Sequence, residues 1–520
     1  MDKPIRNIVI VGGGTAGWLT CAVLAAEHCA HSDKGIKVSL IESPDVKTIG
    51  VGEGTWPTMR STLRKTGISE TDFFKYCDAS FKQGAKFAKW VTGADDDAYY
   101  HPLVLPQGFN EINLAPFWQP HADKVSFADA VCFQSQLCEN GLAPKQITTP
   151  EYAHVANYAY HLDAGKFAQF LQQHCTEKLG VRHILDHVTA VNSAENGDIA
   201  SLSTKQSGEI EGDLFIDCTG FKSLLLGEHY GIGFKSCKDI LFNDTALATH
   251  VPYESEQSPI LSHTLSTAQS AGWIWDIGLP SRRGVGHVYS SAHTTQNAAE
   301  VELRNYISNL IGEQKAAQLN VRKIEINPGH REKFWHKNCV AVGLSAGFLE
   351  PLEASALVLV ELSAAMISEQ LPATRGIMDI VSKRFNDKFS YRWDRIIDFL
   401  KLHYVLTKRT DTEYWIDNCR PETIPKDLQT LLELWRYQPP WHQDFTHVDE
   451  IFPTASYQYV LYGMGFSSIP PPTQRKSLNH ALAQQHLKKN HQMTQKLVRG
   501  LPTNRDLIES IRQQGLQPAP

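Results

Sequence analysis

The distribution of apolar and polar residues at the start of the chain predicts a strand, a helix and a second strand. Residues 8–11 form an unbroken apolar run with β-branched side chains, a pattern typical of a strand buried on both faces. Residues 15–27 are rich in alanine and leucine and predict a helix. Residues 37–41 predict the second strand, and Glu42 stands at its end. We therefore expect a βαβ unit with parallel strands.

The turn between the first strand and the helix carries Gly12, Gly14 and Gly17 in the spacing G-x-G-x-x-G. The first glycine permits a tight turn, the second lets backbone approach a pyrophosphate, and the third lets the helix pack close to the strand. The N-terminal amides of the helix then face the phosphates, and the carboxylate of Glu42 can bind ribose hydroxyls. Strand, glycines, helix, strand and acid in this order predict a dinucleotide-binding site.

The next segments combine loops with further elements. Glycines recur at residues 48–57, which predicts backbone running close along the cofactor. Residues 59–90 begin with a helical pattern and end, from Phe81, with apolar residues at every second position, which is typical of a strand. Residues 93–120 form a loop-rich segment. A loop of this length inside a domain is usually functional or disordered, and the aromatic residues here favour order.

The centre of the chain repeats the α/β pattern. We predict a helix over residues 158–179, a strand over 181–191, and buried strands over 213–221 and 340–343, the last followed by a helix. The strand over 213–221 ends in a Thr-Gly turn, a kind of turn that commonly brings backbone near the cofactor late in a flavoprotein sheet.

Helical periodicity dominates from about Glu369 onward. We therefore expect an α/β domain over residues 1–368 that binds the dinucleotide and contains inserted substrate-side segments at about 90–160. A mainly helical domain over residues 369–520 is expected to pack on it. A chain of 520 residues is long enough for both.

Composition narrows the functional class. The hydrophobic content of 42% suits a globular protein with large cores, and a net charge of −6 without a long basic run argues against a nucleic-acid partner. The ten cysteines show no C-x-x-C and no ligand spacing, so we expect reduced thiols, no metal site and a cytoplasmic location. A strand begins almost at once, so we expect no signal peptide. The longest apolar helix candidate, 354–367, is too short to span a membrane.

Several segments together resemble the flavin-dependent tryptophan halogenase family over nearly the full length of the chain. They include the glycine turn, the Glu-Pro-Leu-Glu run at 350–353, and a W-x-W-x-I-P signature at 273–278 in which Gly278 replaces the proline. The other landmarks are residues 50–53, Lys82, 157–161, 176–183 and 409–412. The resemblance implies an FAD-binding, Rossmann-like α/β domain related to flavin monooxygenases, with a mainly helical substrate-side domain.

The resemblance also implies a reaction. Reduced FAD, O2 and a halide, bromide or chloride, give hypohalous acid, which must reach an electron-rich aromatic substrate such as an indole without leaking to water. Only one dinucleotide fingerprint is present, so we expect no nicotinamide site. FADH2 is then expected to diffuse in from a separate flavin reductase. We expect a monomer or a homodimer.

Two side chains match the family's catalytic residues. Lys82 matches a lysine whose ammonium hydrogen-bonds hypohalous acid or forms a haloamine, and Glu353 matches a glutamate that accepts the ring proton. In the family, two backbone amides after this glutamate bind halide, which places the halide at Ser355 and Ala356. Ala354 and Ala356 replace a hydroxyl residue and a glycine of the family's run, which favours the larger bromide.

The resemblance further implies two groups of contact residues. The cofactor-binding residues are Gly12, Gly14, Thr15, Ala16, Gly17, Glu42, Val51, Val188, Gly343, Leu344 and Leu357. The substrate-binding residues are His101, Leu103, His403, Tyr404 and Phe452.

The comparison with the family also makes free tryptophan a doubtful substrate. When the chain is aligned on residues 456–461, His447 stands near a glutamate that binds the amino acid in tryptophan-specific members. An imidazole cannot replace a carboxylate that pairs with an ammonium. Residues 101–103 depart from a His-x-Phe segment of the family by ending in leucine. A small register shift would instead place Asp449 or Glu450 at the glutamate position.

Two alternatives remain open. The first is an FAD-dependent aromatic monooxygenase, a hydroxylase that shares the fold but does not need Lys82 and Glu353 together. The second is a non-catalytic flavin-binding protein descended from halogenases.

Overall fold

The computed structural model describes residues 4–46, 52–445, 447, 450–469 and 479–519. Val51, one of the predicted cofactor-binding residues, and Asp449 lie outside the described residues. Within these ranges, every helix is either too short or too polar to cross a bilayer.

Strands and helices alternate through the first two thirds of the chain, and helices dominate the last third. The strands are β1 (Asn7–Val11), β2 (Lys37–Glu42), β3 (Glu53–Gly54), β4 (Ser80–Lys82), β5 (Gly84–Ala88), β6 (Ala98–Pro102), β7 (Ala159–Leu162), β8 (Arg182–Leu185), β9 (Val188–Ser193), β10 (Ile199–Thr204), β11 (Glu209–Glu211), β12 (Leu214–Asp217), β13 (Phe234–Ser236), β14 (Thr245–Pro252), β15 (Thr264–Ala268), β16 (Gly272–Gly278), β17 (Arg282–Tyr289), β18 (Arg322–Glu325), β19 (Gly329–Arg331), β20 (Trp335–His336), β21 (Cys339–Ala341) and β22 (Gly347–Phe348). The α-helices are α1 (Thr15–Glu27), α2 (Thr58–Lys65), α3 (Glu70–Tyr76), α4 (Ala115–Trp118), α5 (Phe127–Val131), α6 (Gln134–Glu139), α7 (Ala164–Glu177), α8 (Gln296–Ile311), α9 (Glu313–Gln318), α10 (Ser355–Glu369), α11 (Arg375–Val405), α12 (Glu413–Asn418), α13 (Lys426–Trp435), α14 (Thr454–Gly463), α15 (His480–Gly500) and α16 (Asn504–Gln514).

The chain forms two compact units, and each combines segments that are distant in sequence. The first unit contains Met1–Ala79, Leu162–Cys237 and Asn327–Trp393. The second unit contains Ser80–His161, Lys238–Ile326 and Asp394–Pro520. The predicted boundary between residues 368 and 369 falls inside the last segment of the first unit.

The first unit is built on a six-stranded sheet in the order β20-β21-β12-β1-β2-β8. All neighbouring strands from β21 to β8 are parallel, and β20 is antiparallel to β21. The central strand β1 has Ile8 to Val11 buried, as its apolar run predicts. Helix α1 contacts α7 and α10. The predicted α/β fold, with β1, α1 and β2 at their predicted positions, is confirmed.

Two predicted elements were wrong in detail. The helix predicted over residues 158–179 is strand β7 followed by α7, because the side chain of Asp163 caps α7 by accepting from the backbone amide of Lys166. The strand predicted over 181–191 is two strands, β8 beside β2 and β9 beside β10. Asp186 separates them, since its carboxylate accepts backbone N–H bonds in the turn.

The second unit contains a seven-stranded sheet in the order β18-β14-β17-β16-β15-β5-β6. Its neighbours are antiparallel except for β15 and β5, which are parallel. The helices from α12 to α16 also belong to this unit, which confirms the helical periodicity predicted for the end of the chain. Strand β4 pairs antiparallel with β7, with Lys82 opposite Ala159.

Candidate active site

The glycine turn between β1 and α1 is built by close backbone contacts. Gly12 has a φ of +111°, and a Cβ there would lie 2.2 Å from the carbonyl oxygen of Cys218. A Cβ at Gly17 would lie 1.9 Å from the carbonyl oxygen of Gly12. Gly14 differs, because a Cβ there would meet nothing within 4 Å. It is also the N-cap of α1 and provides no side-chain cap. The turn is therefore tight on its protein side and open beside the helix N-terminus.

Glu42 lies directly against this turn. A Cβ at Gly13 would lie 1.6 Å from the Glu42 Oε2 atom and 2.8 Å from the Glu42 Cβ, so a side chain at the middle residue of the three consecutive glycines would displace this carboxylate. His183 Nε2 lies 2.7 Å from Glu42 Oε1. Burial raises the pKa of Glu42, and the hydrogen bond and charge of His183 oppose that shift. The predicted ribose-binding carboxylate is therefore oriented by a histidine of the next strand.

A second backbone segment approaches the same turn from the end of β21. Gly343 has a φ of +69°, and a Cβ there would lie 2.7 Å from the Cβ of Ala16 in α1. Gly343 and Leu344 belong to a short 3-10 helix over Gly343–Ser345. Its last residue donates from Ser345 Oγ to the buried carboxylate of Asp217 at 3.0 Å.

Asp217 organises the predicted Thr-Gly turn at the end of β12. Its Oδ1 accepts from the hydroxyl of Thr219 at 2.6 Å, and its Oδ2 accepts from the backbone amides of Leu225 and Leu226, both at 2.9 Å. One buried carboxylate thus joins the turn after β12 to the segment after β21 through Ser345. Both predicted cofactor-side segments are held in place by it.

The remaining predicted cofactor residues lie in the same unit. Thr15 Oγ1 donates to the carbonyl of Ala164 at 3.4 Å. Val188 is half-buried at the start of β9, and Leu357 is buried in α10. The chemistry of the turn fits a flavin dinucleotide, since it offers an open helix N-terminus for phosphate and a carboxylate for ribose hydroxyls. Among the described residues, no cluster of His, Cys, Asp and Glu could hold a metal ion.

Glu353 stands in an unusual backbone conformation. Its φ is +61°, and the φ of the next residue, Ala354, is +55°. Two consecutive non-glycine residues in the left-handed region cost energy and are most often found at functional sites. The indole N–H of Trp56 donates to the carbonyl oxygen of Glu353 at 2.7 Å. That bond holds the turn from a segment about 300 residues earlier in the chain.

The predicted halide residues begin the helix that follows this turn. Ser355 is the first residue of α10, Ala356 the second, and the N-cap Ala354 has no side chain that can accept from the first amides. The first N–H groups of a helix have no partner within the helix, and its dipole favours an anion there. The backbone of Ser355 and Ala356 is therefore suited to hold a halide.

Lys82 is the last residue of β4, and only 3% of it is exposed. In the ladder with β7, Ser80 lies opposite His161 and Lys82 opposite Ala159. Directly opposed residues share a face of a sheet, as do residues two apart on one strand. Lys82 and His161 are therefore diagonal neighbours on one face.

The histidine beside Lys82 is kept neutral by its surroundings. His161 Nε2 lies 2.8 Å from Thr264 Oγ1. Burial lowers the pKa of His161 well below its ordinary value, and the charge of Lys82 lowers it further. The positive charge on this face of β4 and β7 is therefore concentrated on the lysine.

Two of the predicted substrate residues lie beside the Lys82 strand. The backbone amide of Leu103 donates to the carbonyl of Gln83 at 3.2 Å and to Gln134 Oε1 at 2.8 Å. His101 lies opposite Ala85 in the ladder of β5 and β6, and its Nε2 lies 2.9 Å from Ser456 Oγ.

An aromatic side chain that sequence analysis missed joins three predicted substrate residues. The ring centroid of Phe399 in α11 lies 3.8 Å from that of Phe452, 5.5 Å from that of His403 and 5.7 Å from that of His101. Phe399 stands four residues before His403 in a helical run, and residues so spaced share a helix face. That spacing is the signal by which it could have been found.

His403 and Tyr404 make different hydrogen bonds but share Trp90 as an aromatic neighbour. His403 Nδ1 lies 2.6 Å from the hydroxyl of Tyr99. The Tyr404 hydroxyl accepts from Asn243 Nδ2 at 3.1 Å, and its ring lies 5.1 Å from that of Trp90. The ring of His403 lies 6.0 Å from that of Trp90 as well as 5.5 Å from that of Phe399, so His403 and Tyr404 belong to one continuous aromatic cluster.

The predicted site residues are divided between the two units. The glycine turn, Glu42, Gly343, Glu353, Ser355 and Ala356 belong to the first unit, whereas Lys82, His101, Leu103, His403, Tyr404 and Phe452 belong to the second. Residues that support them, and that sequence analysis did not assign to the site, are Trp56, His161, His183, Asp217 and Phe399. One feature of the sequence could have assigned Asp217 to the site, because it is an acidic residue at the carboxyl end of a buried strand.

Comparison with known proteins places this geometry in context. The tryptophan halogenase family model matches residues 7–483. The chain is 31% identical to the tryptophan 6-halogenase SttH of Streptomyces toxytricini, covering 98% of each chain. It is 54% identical to the crystal structure of a tryptophan halogenase from Shewanella frigidimarina NCIMB 400, covering 99% of each chain with a TM-score of 0.96. It also resembles BrvH, a flavin-dependent halogenase from Brevundimonas sp. BAL3, at 32% identity and a TM-score of 0.85, covering 98% of this chain and 99% of that one.

Proposed function

Because this chain belongs to the tryptophan halogenase family, we propose that it halogenates an electron-rich aromatic ring, using reduced FAD, O2 and a halide. The protein is a flavin-dependent halogenase and therefore an oxidoreductase. The observation that carries the catalytic assignment is the strained turn at Glu353 and Ala354 immediately before an uncapped helix N-terminus. A hydroxylating flavoprotein needs the glycine turn but has no use for a halide site.

The glycine turn is the part of the chain that would hold FAD. Gly14 and the first amides of α1 would contact the pyrophosphate, Glu42 would bind ribose hydroxyls, and the Gly343 and Leu344 segment would form the opposite wall. The bound reduced flavin supplies the oxygen chemistry that converts halide to hypohalous acid. A separate flavin reductase supplies it in reduced form.

Lys82 is proposed to control the oxidant. The residue is nearly fully buried, and a charged donor in a site of low polarity makes a strong hydrogen bond to hypohalous acid. Neutral His161 adds no competing positive charge. The halogen is thereby delivered to the substrate rather than released to water, either from the hydrogen-bonded acid or from a haloamine on the lysine nitrogen.

The amides after Glu353 are proposed to act before the first step of the reaction, and the Glu353 side chain is proposed to act in the last step. The backbone N–H groups of Ser355 and Ala356 hold the halide before it is oxidised. The carboxylate of Glu353 accepts the proton that leaves the ring carbon after the halogen adds. The bond from Trp56 fixes the backbone on which both tasks depend.

The substrate class follows from the relatives and from the second unit. SttH is a tryptophan halogenase by name, which supports an indole ring as the substrate. The aromatic group of Phe399, Phe452, His101 and His403 supports a flat, electron-rich ring as well. We propose a neutral indole in preference to the free amino acid.

A single assay separates this function from its alternatives. The protein is incubated with FAD, a flavin reductase, NADH, O2 and bromide, together with a panel of indoles and phenols, and products are identified by mass spectrometry. Bromine incorporation is the expected result. Oxygen incorporation would show a hydroxylase instead, and flavin oxidation without any product from the panel would favour a non-catalytic flavin-binding protein.

A further inference from the structure

The strand that contains Lys82 is short and has few backbone hydrogen bonds to other strands. Strand β4 contains three residues and is the last strand of its sheet, paired only with β7 among the described residues. A lysine side chain has four flexible methylenes and a single charged nitrogen. The place that its ammonium reaches is therefore set by how firmly the backbone on either side of Lys82 is held.

Both flanking peptide groups are held from the side opposite β7. The carbonyl of Phe81 accepts from Asn504 Nδ2 at 3.2 Å. The amide of Gln83 donates to the carbonyl of Ser262 at 2.6 Å. Asn504 Nδ2 also donates to the carbonyl of Leu261 at 3.3 Å, so one side chain joins the residue before Lys82 to the segment that holds the residue after it.

Asn504 is itself rigidly placed. It is the first residue of α16 and is completely buried. Its backbone amide donates to the carbonyl of Gly141 at 2.8 Å, and the preceding Pro502 carbonyl accepts from the amide of Ala143 at 2.9 Å. The next side chain, Arg505, donates to the carbonyl of Ser258. The start of α16 is thus joined to two other segments of the second unit before it reaches β4.

The two hydrogen bonds of the Asn504 side chain require a primary amide at this position. Asn504 has two N–H bonds on one nitrogen, and each has a backbone carbonyl within hydrogen-bond distance. An aspartate of the same shape would face both carbonyls with oxygen and would repel them. A leucine of similar size would leave both buried carbonyls without this donor, which is costly.

We propose that Asn504 is a positioning residue for Lys82, and that α16, which lies beyond the residues matched by the family model, is part of the halogenating machinery of this chain. The proposal rests on the proposed role of Lys82 in handling hypohalous acid. Misplacement of a reactive group by about 1 Å can cost roughly 10²-fold in rate. Loss of the Asn504 bonds should therefore release oxidant instead of delivering it.

The chain contains a matched control for this experiment. Asn490 in α15 is also fully buried, and its Nδ2 also donates to two backbone carbonyls, those of Asp129 at 2.9 Å and Ala130 at 3.0 Å. Neither carbonyl belongs to β4. Asn490→Leu removes the same chemistry from a neighbouring C-terminal helix without altering the contacts of the Lys82 strand.

The readout is the coupling ratio, the halogenated product formed per reduced flavin consumed, with released hypohalous acid captured by a scavenger. Asn504→Leu and Asn504→Asp should each lower the coupling ratio by at least about threefold and raise scavenged oxidant, while flavin consumption per bound flavin changes less. Asn490→Leu should keep the wild-type ratio. A merely structural role of Asn504 would reduce the amount of folded protein but leave the ratio unchanged.

A Lys82→Ala variant measured beside them distinguishes the two proposals. If Lys82→Ala keeps the wild-type ratio, the role proposed for the lysine is wrong and this inference is wrong with it. If Lys82→Ala loses coupling while the Asn504 variants match Asn490→Leu, only the inference is overturned. Failure of both Asn504 variants to fold, with Asn490→Leu folded, would also overturn it, because Asn504 would then hold the unit as a whole rather than the Lys82 strand.

Discussion

Three lysines lie within eight positions of one another, and their surroundings separate them. Lys82 is buried on β4. Lys86 is ion-paired to Glu139 at 2.8 Å, and Lys89 to Asp95 at 2.6 Å near the surface. Lys82 differs from the other two in its burial, since the side chains of Lys86 and Lys89 are 22% and 38% exposed. The residue type alone therefore says nothing about which lysine acts.

Replacing Lys82 should separate flavin chemistry from halogenation. In Lys82→Ala we expect halogenated product to fall below detection while FAD binding and oxygen-dependent flavin oxidation persist, because the lysine acts after the flavin has reacted. Product is measured by mass spectrometry and flavin oxidation by absorbance. Lys86→Ala, which removes an ion-paired lysine from the next strand, should retain product formation. Halogenation by Lys82→Ala at a near wild-type rate would refute the assignment.

Glu353 should matter as a carboxylate and not as a bulky residue. Glu353→Gln keeps the backbone and the bond from Trp56 to its carbonyl, and should lower product formation by roughly 10²-fold or more, as loss of a general base does. FAD affinity, measured by fluorescence titration, should change little. A variant that fails to fold or to bind FAD would instead make Glu353 a structural residue.

At the scale of elements, helices α2 and α10 are joined by one buried acid. The carboxylate of Glu361 in α10 accepts from the hydroxyls of Thr62 at 2.6 Å and Thr58 at 3.2 Å. Burial raises the pKa of Glu361 from 4.5 to about 8, despite the two hydroxyl bonds, which lower it. Helix α10 begins at the proposed halide site, so the protonation state of this acid affects an element on which that site depends.

This acid should impose a pH dependence on stability. An acid with a raised pKa binds its proton more tightly in the folded state than in the unfolded state. The folding stability therefore falls as the pH rises from about 4.5 through about 8. Glu361→Gln should remove this component and be the more stable protein at pH 8 by at least about 1.4 kcal/mol, the equivalent of one pKa unit.

Chemical unfolding of wild type and variant at pH 5 and pH 8 measures the difference. Glu369→Gln, at the exposed end of the same helix, should leave the pH dependence unchanged. Parallel pH profiles for wild type and Glu361→Gln would show that Glu361 is ionised in the folded protein and that its pKa is not raised.

At the scale of the whole molecule, the substrate preference depends on segments far apart in the chain. Phe399, His101 and Phe452 come from α11, β6 and the segment before α14. Within the aromatic cluster that they form, His101 Nε2 lies within hydrogen-bond distance of Ser456 Oγ, at 2.9 Å. His447, the residue aligned with the glutamate of tryptophan-specific members, is exposed. An ammonium and a carboxylate of a bound amino acid would need charged partners to offset their desolvation.

Free tryptophan should accordingly be turned over less efficiently than indole. The comparison is kcat/KM for both substrates with bromide at one pH, by product quantification. A substrate that bears only the carboxylate, such as an indole-3-alkanoic acid, tests which charge is disfavoured. Efficient tryptophan halogenation, clearly exceeding that of indole, would show that the register chosen for His447 is wrong and that an acid of the same segment, such as Glu450, takes the glutamate's place.

Local sequence determined much of the first unit and the class of chemistry. An unbroken apolar run predicted β1, an alanine- and leucine-rich run predicted α1, and helical periodicity predicted the end of the chain, because burial of a strand or a helix face leaves its pattern in the sequence. The spacing of Gly12, Gly14 and Gly17 predicted the turn. The contact that forbids a Cβ at Gly17 is made by Gly12 within the turn itself, whereas the contact at Gly12 is made by Cys218 at the end of β12. The landmarks shared with the halogenases predicted the family. Through that resemblance they also predicted the flavin chemistry and the catalytic lysine and glutamate.

Tertiary structure alone decided which distant residues support these groups. Gly13 lies against the Glu42 side chain, Asp217 holds Ser345 from the segment after the neighbouring strand β21, and Asn504 bonds to Phe81 from more than four hundred positions away. A periodic pattern records that a side chain is buried, but not which buried partner meets it, since such contacts depend on how separately encoded elements pack. For the same reason the sequence could not show that Ser80–His161 and Lys238–Ile326 join the C-terminal helices in one unit.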